Sequence, residues 1–321
     1  MTESFFVHGS GANSTEAQRG IPCLGDVSNI TSTQFTLVIC VKYGSDEETE
    51  KYLDSMRTLQ SQERLHVLVV DNTVKGTWVG DSSKPNCRAV QAPDNLGYFG
   101  GARYGLSLYL ETNPLPDWVI VSNVDLSIED PLFLDRLTRL GSIPNLGAVA
   151  PSIRSSLTGI DQNPYMRVRP TALRMHFYKW LFRSWVALNT YECLSVLYKK
   201  ISGQFRKDRS GYFQSGPSEE IYAPHGSFLI FSRTYFERGG DLQFPRFLFG
   251  EEIYIAESMR RLGLKVLYEP SLQVIHKEHH STGLFRSRRI AAYVASSAAY
   301  CADTFFGFDH QEKRSTTNVI S

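Results

Sequence analysis

The sequence predicts an α/β fold: a mostly parallel, doubly wound sheet flanked by helices, with a helical insertion and a C-terminal helix. Three observations carry this. Short runs of aliphatic and β-branched residues recur, apolar at every position, as strands buried on both faces require. Polar, helix-forming stretches alternate with them. Several runs end in Asp or Asn, at the carboxyl ends of strands, where such sheets bind ligands.

In chain order, residues 1–33 are rich in Ser, Thr, Gly and Asn without any period and read as a poorly ordered arm. Residues 35–41 (FTLVICV) are the first buried strand, and a polar helix follows over 46–60. Residues 65–70 (LHVLVV) are the second strand, ending in Asp71 and Asn72. A short strand over 88–91 leads through a glycine turn into a helix over 100–111. Residues 118–122 (WVIVS) form a strand ending in Asn123, Val124 and Asp125, and 146–150 form another. The rhythm then stops. Residues 152–216 read as a helical insertion, with one or two basic, aromatic helices over 166–209. A strand over 227–231, a helix over 251–261 closed by Gly263, short strands at 265–268 and 272–275, and a C-terminal helix over 284–307 complete a domain of 34–310; 311–321 are a polar tail.

Composition narrows the classes. Of 321 residues, 42% are apolar and 21% charged, as in a globular protein, and the net charge of +1 speaks against a nucleic-acid partner. Five scattered cysteines lack metal-type spacing and predict reduced thiols in the cytoplasm. The N-terminus lacks the pattern of a signal peptide, and no apolar run reaches the ~20 residues that span a bilayer.

Five places carry candidate chemistry. Asp71 and Asn72 can bond a nucleobase or ribose, or simply cap a helix. Asn123 and Asp125 point the same way on an extended chain, so Asp125 can hold a divalent cation; turns use the same residues. Residues 94–103 (DNLGYFGGAR) form a glycine-rich loop that suits phosphate at a helix start, or only a tight turn; the spacing is not a dinucleotide fingerprint. Glu251 and Glu252 open a helix and are either capping acids or a general base. Three histidines, His276, His279 and His280, follow a strand and suit a metal.

The order of these segments resembles the inverting family-2 glycosyltransferases with the GT-A (Rossmann-like) fold. VVDN, NLGYFGG, NVD, HGSFLIF, FLFGEE and VIH follow one another between about 35 and 281, and the nearest subset is the bacterial rhamnosyltransferase-like enzymes of O-antigen and capsule assembly. The resemblance implies that Asp71 and Asn72 recognise the donor base, that Asn95 and Gly97 lie along the nucleotide, and that Asn123 and Asp125 occupy the DXD position. Asp125 and His276 would then hold Mg2+ or Mn2+, with His279 and His280 as alternatives to His276. Gly226 and Ser227 would flank the acceptor, and Glu252, or Glu251, would be the base. Two departures stand out: Asn replaces the first DXD acid, and Glu replaces the usual Asp base. Arg103 stands near the family's Asn and is an expected phosphate contact.

The expected activity is metal-dependent, inverting transfer from a dTDP-rhamnose or UDP-hexose donor to a glycan acceptor, polyprenyl-diphosphate-linked in the resembling pathways. Ten Lys and Arg against two acids over 166–209, interleaved with aromatics, suit peripheral contact with the inner face of the membrane. A packed subdomain or a dimer interface would use the same residues. A sugar nucleotidyltransferase would show a basic glycine loop after the first strand, which is absent here. A non-catalytic nucleotide- or glycan-binding protein on a decayed transferase fold is the other rival.

Overall fold

The computed structural model describes residues 34–74, 78, 86–201 (side chains of 196–201 excepted), 216–277 and 286–307. The expected arm, the polar tail, and His279 and His280 lie outside the described residues. The elements run β1 (Thr36–Lys42), α1 (Asp46–Met56), β2 (Leu65–Asp71), β3 (Cys87–Gln91), α2 (Gly97–Leu110), β4 (Trp118–Ser122), β5 (Leu126–Ser127), α3 (Phe133–Arg139) and β6 (Leu146–Ser155). They continue α4 (Ala172–Leu181), α5 (Trp185–Ile201), β7 (Glu219–Ile221), β8 (Phe228–Ser232), α6 (Arg233–Glu237), α7 (Glu251–Arg261), β9 (Lys265–His276) and α8 (Arg288–Phe305).

One sheet organises the described residues, in the order β3-β2-β1-β4-β8-β6-β9-β5, with β7 on β9. Its first half is parallel, as the buried apolar runs predict. Its second half is mixed: β8 runs antiparallel to both β4 and β6, while β9 is parallel to β6. The departure has a topological cause. The insertion after β6 delivers the chain to the carboxyl rim, so β8 starts there and must run back. The expected short strands at 265–268 and 272–275 are one strand, β9, whose pairing with β6 jumps from Glu269 to Gln273 across Pro270.

Alternation along β1 feeds two cores. Leu37, Ile39 and Val41 pack with α2, α7 and α8 on one face. Val38 and Cys40 pack with α1 and α3 on the other. Ser45 starts α1 by accepting the Glu48 N–H, and three acids in its first turn suit the helix dipole. The insertion is tied down by Arg169, which reaches the buried Glu257 of α7 at 2.7 Å and donates to the Phe305 carbonyl of α8.

Candidate active site

Strand register brings distant residues to one rim. Lys42 is paired with Asp71 across β1 and β2, and Cys40 with Ser122 across β1 and β4. Asn123, Val124 and Asp125 therefore leave the sheet at the same edge as Asp71. Because β8 is antiparallel, Ser122 also pairs with Phe228, and the Asn123 N–H donates to the Ser227 carbonyl. The ends of β6 and β9 arrive there too: His276 pairs with Ser155 on one side and with Leu126, next to Asp125, on the other.

Asp125 and His276, 151 residues apart, meet at this rim with Nε2 3.1 Å from Oδ2. The other imidazole nitrogen, Nδ1, lies 2.8 Å from Gln162 Oε1, so the ring is held between Gln162 and Asp125. Asp125 Oδ1 is buried and has no hydrogen-bond partner among the described residues. An imidazole nitrogen beside a carboxylate with one unsatisfied oxygen is a donor set that suits a divalent cation. The described residues contain no group of three or more His, Cys, Asp or Glu that could hold a metal, so these two side chains are the metal-binding material that the described residues offer there.

His225 extends the group. Its ring lies 6.3 Å from that of His276, centroid to centroid, and its Nδ1 is 2.9 Å from Ser227 Oγ. Burial, and then the neighbouring His276, push its pKa down to about 4, so it stays neutral. The buried Asn163 holds this loop by accepting the His225 N–H at 2.8 Å. Sequence reasoning gave roles to Gly226 and Ser227 but missed His225, although it lies in the same motif, and missed Gln162 and Asn163, which carry no local signal.

Glu251 and Glu252 open α7 beside that loop. The Glu252 carboxylate lies so close to Gly226 that a Cβ there would fall 2.7 Å from its Oε1. Glycine is thus what lets the acid approach the loop. Burial pushes the Glu252 carboxyl above its usual range, against backbone N–H groups of Glu252, Gly226 and Gly250 that favour the charge. Glu251 is raised as well, by burial first and then by Glu252. Of the two, Glu252 is the acid whose carboxylate lies against the 225–227 loop.

The residues expected at the nucleotide are used within the chain. Asp71 is buried: Oδ2 accepts from Lys42 Nζ at 3.0 Å and Oδ1 from the Thr73 N–H. Burial works against the Lys42 ammonium, but its bonds to Asp46 and Asp71 outweigh this and hold its pKa above the ordinary value. Asn72 Nδ2 donates to the Gly97 carbonyl, and Asn95 Oδ1 accepts the Gly97 N–H. Gly97 has φ +74°, and a Cβ on it would meet the Phe247 carbonyl oxygen. The glycine loop thereby joins α2 to the segment before α7. Arg103 is exposed on α2 and is tied to none of the other site residues by a hydrogen bond or ion pair.

No family model matches the chain. It is 27% identical over 281 residues, covering 84% of this chain and 85% of the relative, to the N-acetylglucosaminyl-diphospho-decaprenol L-rhamnosyltransferase of Mycobacterium tuberculosis, in strains CDC 1551/Oshkosh and ATCC 25618/H37Rv alike. Among solved structures it is similar to GalNAc-T7 with UDP, GalNAc and Mn2+, at TM-score 0.50 and 12% identity over 76% of this chain; it spans 44% of that longer chain. It is also similar to the mannosyltransferase PcManGT from Pyrobaculum calidifontis in complex with GDP-Man and Mn2+, at TM-score 0.48 and 14% identity, covering 84% of this chain and 70% of that one. The chain has the α/β GT-A fold that the solved glycosyltransferase structure shares, and in sequence it is similar to a rhamnosyltransferase.

Proposed function

We propose that the protein is an inverting glycosyltransferase that moves a sugar from a nucleotide-sugar donor to a hydroxyl of a lipid-linked glycan acceptor in the assembly of a bacterial surface glycan. The observation that carries this reading is the convergence of Asp125, His276 and Glu252 on the loop 225–227. The likeness to an N-acetylglucosaminyl-diphospho-decaprenol L-rhamnosyltransferase supports an activated rhamnose, dTDP-rhamnose, as the donor to try before UDP-hexoses, and a polyprenyl-diphosphate acceptor. Such an acceptor puts the work at the inner face of the membrane.

The chemistry follows from where the groups lie. Asp125 and His276 would hold Mg2+ or Mn2+, and a bound divalent cation supplies charge neutralisation for a departing diphosphate. Gln162 keeps the His276 ring turned toward Asp125. Glu252 takes the proton of the acceptor hydroxyl. As that proton leaves, the acceptor oxygen bonds to the anomeric carbon from the face opposite the diphosphate. The bond to the diphosphate oxygen breaks with its electron pair, and configuration inverts. Gly226 sets the depth at which Glu252 meets the acceptor, and the neutral His225 orients Ser227 beside it. Asp71, Asn72, Asn95 and Gly97 support the donor side by fixing the strand end and the start of α2, and Arg103 is the cation nearest in sequence to that start for phosphate contact.

The test is release of nucleoside diphosphate from dTDP-rhamnose and UDP-hexoses, with and without Mn2+, for the parent, Glu252→Gln and Glu251→Gln. Loss of the base should slow transfer by about 10²–10⁴-fold in Glu252→Gln, with a much smaller loss in Glu251→Gln. Near-normal turnover in both variants sinks the mechanism.

A further inference from the structure

We propose that the outer face of α4 and the α4–α5 corner form a docking surface for an anionic phospholipid bilayer, one that presses the acceptor side of the site against the membrane. The inference rests on the acceptor being lipid-linked.

Helix α4 has two faces. Met175 is buried, and Tyr178 stacks inward on Phe182 and meets Tyr191. Leu173, Phe177 and Trp180, spaced to share the other side of the helix, are 75%, 48% and 67% exposed. The Phe177 and Trp180 rings lie 6.2 Å apart, so the apolar surface is continuous. It continues into the corner, where every residue from Arg183 to Val186 is exposed, Val186 at 63%. Soluble chains seldom leave so many large apolar side chains together in water.

The charge beside this surface favours one occupant. Arg174 and Arg183 have no carboxylate partner among the described residues, and the Arg288 guanidinium lies 5.7 Å over the Trp185 ring. The nearby acids are neutralised: Glu192 is held by Arg286 and Asp303 by Lys179. An aromatic ridge fringed with guanidinium groups that lack carboxylate partners, Arg174 being held only by Tyr178, matches the headgroup boundary of an anionic bilayer, where rings enter and guanidinium groups meet phosphate. No helix among the described residues is long and apolar enough to cross a membrane, so contact of this kind lies on the surface.

The surface is also joined to the site. Trp185 Nε1 donates to the Arg286 carbonyl at 2.7 Å, and the Arg286 guanidinium lies 5.0 Å over the Phe249 ring. Phe249 immediately precedes Gly250 and the two acids that open α7. A bilayer on the corner thus lies beside the acid that meets the acceptor, where a lipid-borne sugar diphosphate would emerge.

The experiment is flotation of the full-chain protein with vesicles of phosphatidylcholine alone and of phosphatidylcholine with phosphatidylglycerol. Binding should require phosphatidylglycerol and weaken with salt. In Phe177→Glu and Trp180→Glu, partitioning should fall by about tenfold or more, since each removes the burial of one large side chain, with circular dichroism and melting unchanged. Transfer to a short, water-soluble acceptor should be the same in parent and variants. Failure of the parent to float, variants that float as well as the parent, or light scattering that shows the face buried in a dimer would each overturn the proposal. An absence of any transfer by the parent counts against the catalytic reading alone, because flotation is read without it.

Discussion

Glu252 and Glu251 are adjacent carboxylates held at different depths, and the protonation of each follows from that. Burial raises both, and the Glu252 charge raises Glu251 further. A base must be ionised to accept a proton, so kcat/KM should climb with pH along a limb placed above the ordinary glutamate pKa of about 4.3. Glu251, raised by the Glu252 charge as well as by burial, is still protonated when Glu252 ionises, so Glu251→Gln should leave that limb in place; a limb that moves by a full pH unit would argue against this order of ionisation. The sign for stability is the reverse of the usual carboxylate case. A native state that holds these protons more tightly than the unfolded chain loses stability as pH rises above the ordinary range, and Glu251→Gln should flatten that decline. His225 and Gly226 show how close the sequence came. The motif was visible, but the low pKa of one and the close approach allowed by the other depend on what packs over them.

At the scale of elements, α2 and α7 both start near the rim, and one contact ties α2 to the segment before α7. Gly97 opens α2 with φ +74° and its Cα against the Phe247 carbonyl, while Asn72 and Asn95 hold its carbonyl and N–H. Gly101 and Gly105 let the same helix lie directly on β1 and β2. Gly97→Ala should therefore cost about 1–3 kcal/mol or more, since it adds left-handed strain to a backbone clash, read as a lower denaturation midpoint with an unchanged slope. An alanine variant as stable as the parent would mean that the 247 segment moves freely away from α2. The glycine pattern in the sequence marked this loop correctly as special. It did not distinguish a loop that accommodates a phosphate from one that accommodates the chain's own carbonyl, because both require the missing Cβ.

Over the whole molecule, the site is a product of topology. Parallel strands β1, β2 and β4 end at one rim, antiparallel β8 begins there, and β9 closes it with His276 beside Asp125. If those two side chains hold a cation, Mn2+ with a nucleoside diphosphate should raise the melting temperature by several degrees, at about 2–4 °C per kcal/mol for a domain of this size. Asp125→Ala and His276→Ala should each abolish the shift while melting near the parent without metal. A parent that shows no metal-dependent shift removes the pair from consideration. What the sequence by itself determined was local: the apolar runs made buried strands, the strand-end Asx residues marked the carboxyl rim, and the ordered motifs pointed to the GT-A fold. Those features are written in residue type and short period, which neighbouring side chains enforce without help from distant ones. Only the tertiary structure decided that half the sheet is mixed, that Lys42 occupies Asp71, that Gln162 turns His276 toward Asp125, and that Glu252 rather than Glu251 faces the loop. Each of these depends on strand direction, register or burial between segments tens to hundreds of residues apart, where no local pattern reports the partner.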